Sequence, residues 1–384
     1  MYMKKLFIIL LLVFCVSCDS TKSSNENARK YKNGKCIAFY PDNNSIYEYV
    51  KNECSDSKER VIDYKVESLG DFYLIKYDNQ EFITEKDFSD IDLKIVDRLD
   101  IVSNALRYQM RKDDIDLAYT SNFMIDTDKD NLDVSNVIIR KKDNDLLMYF
   151  PKFGYQLVMD LAYGQEIVGR DFGIESKEYV MDYYLNPNRP MVALTYDDGP
   201  YRAVDSIIFE TMKKYDARCT FYIVGSRLGE YELETIKMGL DLNLEFGSHS
   251  MNHENISKLS YNDAYYTIVS VSDYVNNKLD YQMKTYRPPY GSRNYDLENG
   301  LDMVSVLWNV DSMDWSNRNE DYTYSNVVNK VNENDVVLMH SLYSSTAEAT
   351  KRIVPELMDK GYQLVTVSEL MNHLNIENRN FGGR

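Results

Sequence analysis

The chain has 384 residues, 44% of them hydrophobic, and a net charge of -17. That length is enough for two domains with at least one sizeable core. The acidic balance, with no long Lys/Arg run, argues against a nucleic-acid partner and gives no attraction to anionic lipid, so a neutral or cationic substrate is easier to accommodate.

The chain opens on "MYMKKLFIILLLVFCVSC", with two lysines, an apolar run from Leu6 to Val16, and then Ser17-Cys18. A positive start, a short apolar stretch and a small residue predict an export signal over 1–18, too short to span a bilayer well. The end of this segment resembles a bacterial lipoprotein signal in which Cys18 becomes the lipidated first residue, although Cys15 stands where leucine is usual. Such an anchor holds a protein at a membrane surface without spanning it. Residues 19–33 are polar and aperiodic and read as a flexible tether. Beyond the signal remain Cys36, Cys54 and Cys219. An odd count is no disulfide framework. A Cys36–Cys54 bridge stays open outside the cell, and Cys219, inside the apolar "RCTFYIVG", reads as a packing residue.

Residues 34–185 carry short strand-like pieces ("DFYLIKY", "VIIRKK", "LLMYFPKF", "YQLVMDL") between turn clusters, with one helix predicted over 92–111. This predicts a small α+β domain without a nucleophile signature. It faintly resembles the accessory domain ahead of some bacterial cell-wall deacetylases. After the linker "NPNRP" the rhythm changes. Strands are predicted at 191–196, 219–224, 244–248, 284–287, 304–310, 336–339 and 363–367. Helices are predicted at 203–215, 230–240, 261–279, 326–332 and 346–360. Alternation of this kind predicts a parallel α/β sheet over 191–374, open or closed into a barrel, and about seven βα units favour a barrel smaller than the usual eight.

The residues suited to chemistry sit just past strand ends: "DDGP", "HSMNH", "RPPYG", "DSMDW" and the histidine of "VVLMH". The carboxyl ends of strands form the active-site face of such folds. His249 and His253, four apart, can point at one ion of zinc, cobalt or nickel type, and Asp198 is the natural third ligand. Three ligands leave positions open, as in a catalytic site. The double proline in "YRPPYGSR" makes a rigid loop able to aim a backbone N–H, and Arg287 can pair with an acidic neighbour. Trp315 at a rim offers a flat wall for a sugar face, and His340 is placed to exchange protons near neutrality. His373 lies in a helical stretch away from these endings and reads as an ordinary surface residue.

In this order and spacing, "TYDDGP", "HSMNH", "RPPYG", "DSMDW" and "LMH" resemble the motifs of the NodB-homology polysaccharide deacetylases. The resemblance implies a distorted (β/α) barrel and a divalent metal, commonly zinc, held by Asp198, His249 and His253. It implies removal of acetyl groups from a polysaccharide. Asp197 would be the general base toward the attacking water, oriented by Arg287. The Tyr290 N–H would help bind the oxyanion. His340, tuned by Asp314, would protonate the leaving amine, and Trp315 and Leu338 would shape the acetyl pocket. Two departures are Tyr196 for the usual phenylalanine and Ser341 where an aspartate is frequent. The tyrosine of "RPPYG" resembles the glucosamine-directed members more than the muramic-acid-directed ones, which implies N-acetylglucosamine of peptidoglycan as substrate. The alternatives are an O-acetyl esterase acting on acetylxylan-like glycans, a non-catalytic glycan-binding lipoprotein, and a phosphoesterase, which would often need more metal ligands.

Overall fold

The computed structural model describes residues 28–383, apart from positions 34, 42, 56–59, 70–71, 78–79, 85–97, 135–136, 169, 182 and 377–379. The predicted export signal and Cys18 therefore lie outside the described residues. Two units form: one runs to Gln109 and includes Lys129–Tyr183, and the other joins Met110–Asp128 to Tyr184–Arg384. No helix among the described residues is long and apolar enough to cross a membrane.

The first unit holds two sheets. In the smaller, β1 (Arg29–Asn33) pairs antiparallel with β2 (Cys36–Tyr40), and β3 (Arg60–Ile62) adds in parallel. The last residues of the expected tether are thus a strand. The larger sheet is an antiparallel meander of β4 (Lys65–Leu69), β5 (Phe72–Lys76), β6 (Glu81–Thr84), β7 (Ile138–Lys142), β8 (Asp145–Phe150) and β9 (Tyr155–Asp160). In β8 buried residues alternate with more exposed ones, the period-2 pattern of a sheet with one covered face. A core of Ile46, Val50, Tyr64, Ile75, Tyr77 and Phe82 surrounds Cys36 and Cys54, which are bridged. The expected helix at 92–111 is described from Leu99 to Lys112.

The α+β domain expected over 34–185 contains a helical excursion. Residues 110–128 cluster with the second unit. There the buried Arg111 pairs with Asp216 at 2.7 Å, and the Ser121 N–H donates to Asp359 at 2.9 Å.

The second unit is built on β10 (Met191–Gly199), β11 (Thr220–Ile223), β12 (Glu245–Ser248), β13 (Thr285–Tyr286), β14 (Val304–Val306), β15 (Val310–Asp311), β16 (Val336–His340), β17 (Gln363–Leu364) and β18 (Asn380–Phe381). All pairs among them are parallel, in the order β15-β16-β10-β11-β12-β13-β14-β18, with β17 also on β10. The expected distorted barrel forms, with more strands among the described residues than predicted and most of them shorter. The single strand expected at 304–310 is two, and they lie near opposite ends of the sheet order. One continuous run of chain therefore links both sides: the Leu307 N–H donates to Phe381 and the Asn309 N–H to Val336. Helices Arg202–Tyr215, Glu230–Leu240, Tyr261–Leu279, Glu320–Val328 and Ser344–Asp359 alternate with the strands. The fourth begins six residues earlier than predicted.

The central strand β10 is buried along nearly its whole length, as a parallel strand covered on both faces must be. Tyr196, Phe221 and Phe246 stack on successive strands at centroid distances of 5.1 and 5.5 Å. Gly247 in β12 is a packing requirement, because a Cβ there would meet the Tyr222 ring at 2.6 Å and the Thr285 carbonyl at 2.8 Å. Cys219 is buried and unbridged, as its apolar surroundings predict.

Candidate active site

Asp197 and Asp198 end β10, where its register with β11 shifts between Asp197 and Gly199. Asp198 adopts a left-handed conformation (φ 68). Along a regular strand neighbours face opposite ways. The bulge breaks that alternation and brings both carboxylates to one cluster. His249 Nε2 lies 3.6 Å from Asp197 Oδ2 and 3.5 Å from Asp198 Oδ1, and His253 Nε2 is 3.3 Å from the same Asp198 oxygen. His253 and Tyr290 are also left-handed (φ 60 and 61). Strain of this kind persists where surrounding contacts hold it, commonly at functional sites.

Asp198, His249 and His253 offer ligand atoms all within 4.8 Å of one another. His249 Nδ1 sits 2.7 Å from the Arg287 carbonyl. A carbonyl only accepts, so Nδ1 carries the proton and Nε2 faces Asp198 as a lone pair. Burial lowers the His249 pKa to about 3, against the pull of Asp198, so the ring is neutral at pH 7. Asp198 Oδ1 is buried without a hydrogen-bond partner. A bare carboxylate oxygen facing the His249 lone pair is costly unless a cation joins them. The residues present fit a divalent ion.

Asp197 Oδ1 accepts from Arg287 Nη1 at 2.8 Å. Arg287 is fully buried, and its other donors reach Thr195 Oγ1 (2.6 Å) and the carbonyls of Val306 (3.1 Å) and Leu307 (3.0 Å). Its guanidinium lies 4.3 Å from the centre of the Tyr222 ring. The arginine is thus fixed by five groups and in turn fixes Asp197. Burial pushes the Asp197 carboxyl up, while Arg287 and His340 act against it.

Across β10, His340 at the end of β16 pairs in register with Asp197, and Leu338 with Thr195. Period-2 alternation puts Leu338, buried, on the same face as His340. His340 Nδ1 and N–H both reach Asp314, at 2.8 and 2.7 Å. Burial alone would lower the His340 pKa, but the Asp314 hydrogen bond and charge outweigh it and raise it to about 9. Trp315 is about half exposed and Tyr290 largely so, and the Tyr290 hydroxyl lies 3.1 Å from His253 Nδ1. The site residues predicted from the strand ends thus lie on the carboxyl-end face of this sheet. His373 ends the helix Val367–His373.

Sequence reasoning missed three supports. Thr195 was legible, two residues before Asp197 and so on its face. Thr346, donating to Asp314 at 2.7 Å, was not. Nor was Asp205, buried in the helix after "DDGP". It accepts from the Tyr201 N–H at 2.7 Å and from the Ser341 hydroxyl. Burial pushes its carboxyl up to about 7, with both hydrogen bonds acting the other way. Ser341 in turn donates its N–H to the Asp197 carbonyl at 2.8 Å.

A carboxylate clamped by an arginine beside an Asp–His–His cluster, with a His–Asp pair at the end of the adjoining strand, is an arrangement able to support metal-assisted hydrolysis. Residues 185–304 match the model of the polysaccharide deacetylase family. The chain is similar to the peptidoglycan-N-acetylmuramic acid deacetylase PdaC of Bacillus subtilis, 37% identical over 186 residues, covering 48% of this chain and 40% of that protein. It is also similar to the peptidoglycan-N-acetylglucosamine deacetylase PgdA of Listeria monocytogenes, 31% identical over 179 residues, covering 47% and 38%. The chain thus spans about two fifths of the length of these curated relatives. Among solved structures, peptidoglycan deacetylase PdaC from Bacillus subtilis is 36% identical with a TM-score of 0.48, covering 50% of this chain and 94% of that one.

Proposed function

We propose that the protein hydrolyses N-acetyl groups of a cell-surface polysaccharide, N-acetylglucosamine of peptidoglycan first, releasing acetate. The observation that carries this reading is Asp197, clamped by Arg287 and facing the Asp198–His249–His253 cluster. Asp198, His249 and His253 would hold the ion, with zinc proposed and cobalt or nickel as alternatives. A divalent ion there would polarise the acetyl carbonyl and acidify water.

The chain's own residues supply the rest. Asp197 Oδ1 is occupied by Arg287, which leaves Oδ2 to take the proton of the attacking water. The Tyr290 N–H is the proposed donor to the oxyanion. The C–N bond breaks as His340 Nε2 gives its proton to the departing amine, while Asp314 holds Nδ1. Trp315 and Leu338 are the proposed walls for sugar and acetyl methyl. An acid held protonated to about pH 9 suits an amine, which cannot leave without a proton, and this favours amide over O-acetyl ester hydrolysis. The tyrosine of "RPPYG", which resembles that of the glucosamine-directed members, supports glucosamine as the reacting sugar, with the muramic sugar the alternative that the similarity to PdaC raises. Export and lipidation at Cys18 are proposed with it, checked by the mass of the mature N-terminal residue.

The test is acetate release from peptidoglycan, chitooligosaccharide and acetylxylan, alongside bound metal by elemental analysis. Asp197→Asn should abolish release and keep the metal, whereas Asp198→Ala or His249→Ala should lose both. Full activity in Asp197→Asn would sink the mechanism.

A further inference from the structure

Beside His340 stand two residues that the proposed reaction leaves without a role, Arg318 and Tyr343. Arg318 closes the short helix Asp314–Asn317 in a left-handed conformation (φ 47), its N–H donating to the Asp314 carbonyl at 2.9 Å. Its guanidinium lies 4.9 Å from the centre of the Tyr343 ring, and that ring lies 6.3 Å from the His340 ring. The same helix carries the half-exposed Trp315. An exposed arginine is thus two ring contacts from the group that protonates the leaving amine.

Among the described residues no carboxylate lies within ion-pairing distance of Arg318. The acids that follow it, Glu320 and Asp321, are both taken by Arg352, at 2.9 and 2.6 Å. In a chain of net charge -17, acids to neutralise a guanidinium are plentiful, yet this one is left open. Stacking on Tyr343 limits its rotation and leaves the N–H edge of the planar fork free, which is the geometry that receives a carboxylate with two parallel hydrogen bonds.

We propose that Arg318, braced on Tyr343, binds a carboxylate carried by the sugar that adjoins the one losing its acetyl group. This rests on the deacetylase reading above and narrows its substrate class. The preferred glycan alternates acetylamino sugars with acid-bearing ones, as peptidoglycan does wherever the lactyl group of its muramic sugar carries no peptide. A neutral chitin-like chain lacks that contact.

The test compares kcat/KM for acetate release from peptide-free peptidoglycan strands and from chitooligosaccharides of equal length. Arg318→Gln should lower the ratio of acidic to neutral substrate about three- to tenfold, the range of a solvent-exposed, two-pronged ion pair, and chiefly through KM. Arg318→Lys should recover part of it by keeping the charge without the fork. Methyl-esterifying the glycan carboxylates, or raising the salt, should erode the same ratio in the unmodified protein. A ratio unmoved by Arg318→Gln in an active enzyme, or unmoved by esterification, would remove the subsite alone. Absence of acetate release from both glycans by the unmodified protein would remove the deacetylase reading itself, and this subsite with it.

Discussion

Asp197 and Asp198 are adjacent, yet one is tied to Arg287 and the other leaves a buried oxygen unbonded. Different surroundings give neighbouring carboxylates different work. The same holds for the histidines: burial keeps His249 neutral, while Asp314 raises His340 to about 9. Because the folded pKa of His340 lies above its ordinary value of 6.5, the protonated acid persists below about 9 and is lost as pH rises through it. The linked stabilisation is full below the unfolded value and disappears over the same window. The alkaline limb of kcat/KM should therefore fall near pH 9, and Asp314→Asn should move it down by about one unit or more, which a pH–rate profile reads directly. Asp205 is a positioning residue by the same kind of reasoning, since it ties the Tyr201 N–H to the hydroxyl next to His340. Asp205→Ala should lower kcat of folded, metal-loaded protein by about tenfold or more with little change in KM, because small misplacements near the reacting atoms are costly. Exchanging the pair, Asp205→Ser with Ser341→Asp, should recover much of the loss; a loss that simply follows Tm would contradict the assignment.

The elements place these side chains by departing from regularity at chosen points. The strand β10 is a buried parallel strand until its bulge, and the bulge turns its last two acids to one cluster. Gly247 lets Tyr222 and β13 close on β12, and Tyr222 is the ring beneath Arg287. Gly247→Ala should cost about 1–3 kcal/mol by overpacking, read from urea midpoints, and should cut activity further by displacing Arg287. Long buried strands and well-capped helices were legible from sequence. Ser260 caps Tyr261–Leu279, and Thr366 and Glu369 form a reciprocal capping box on Val367–His373. The helix Glu320–Val328 was misplaced because "EDYTYSNVV" has no apolar period, and its start is set by Asn319 accepting from the Tyr322 N–H. The strands β13 and β17 fall inside those expected at 284–287 and 363–367, and β15 overlaps the end of the one expected at 304–310, whereas the two-residue β18 carries too few residues for any pattern to reveal.

At the scale of the whole molecule, each unit has its own core, one around the Cys36–Cys54 bridge and one around Met191, Val336 and Val365. A cross-link between residues 18 apart restricts the unfolded chain by about 3 kcal/mol. Calorimetry with and without reductant should therefore lower one unfolding transition, that of the N-terminal unit, and leave the transition of the barrel in place. By itself the sequence determined the alternation of strand and helix, the barrel class, and the positions of Asp197, Asp198, His249, His253, Arg287, Asp314 and His340 at strand ends. These are local properties: hydrophobic period, turn chemistry and residue type are written in neighbouring residues. Only the tertiary structure decided that residues 110–128 join the barrel unit, that one run of chain serves both ends of its sheet, and that Asp205 reaches Ser341 across 136 positions. Those depend on register and on barrel closure, which bring distant residues into contact and leave no trace in either local sequence.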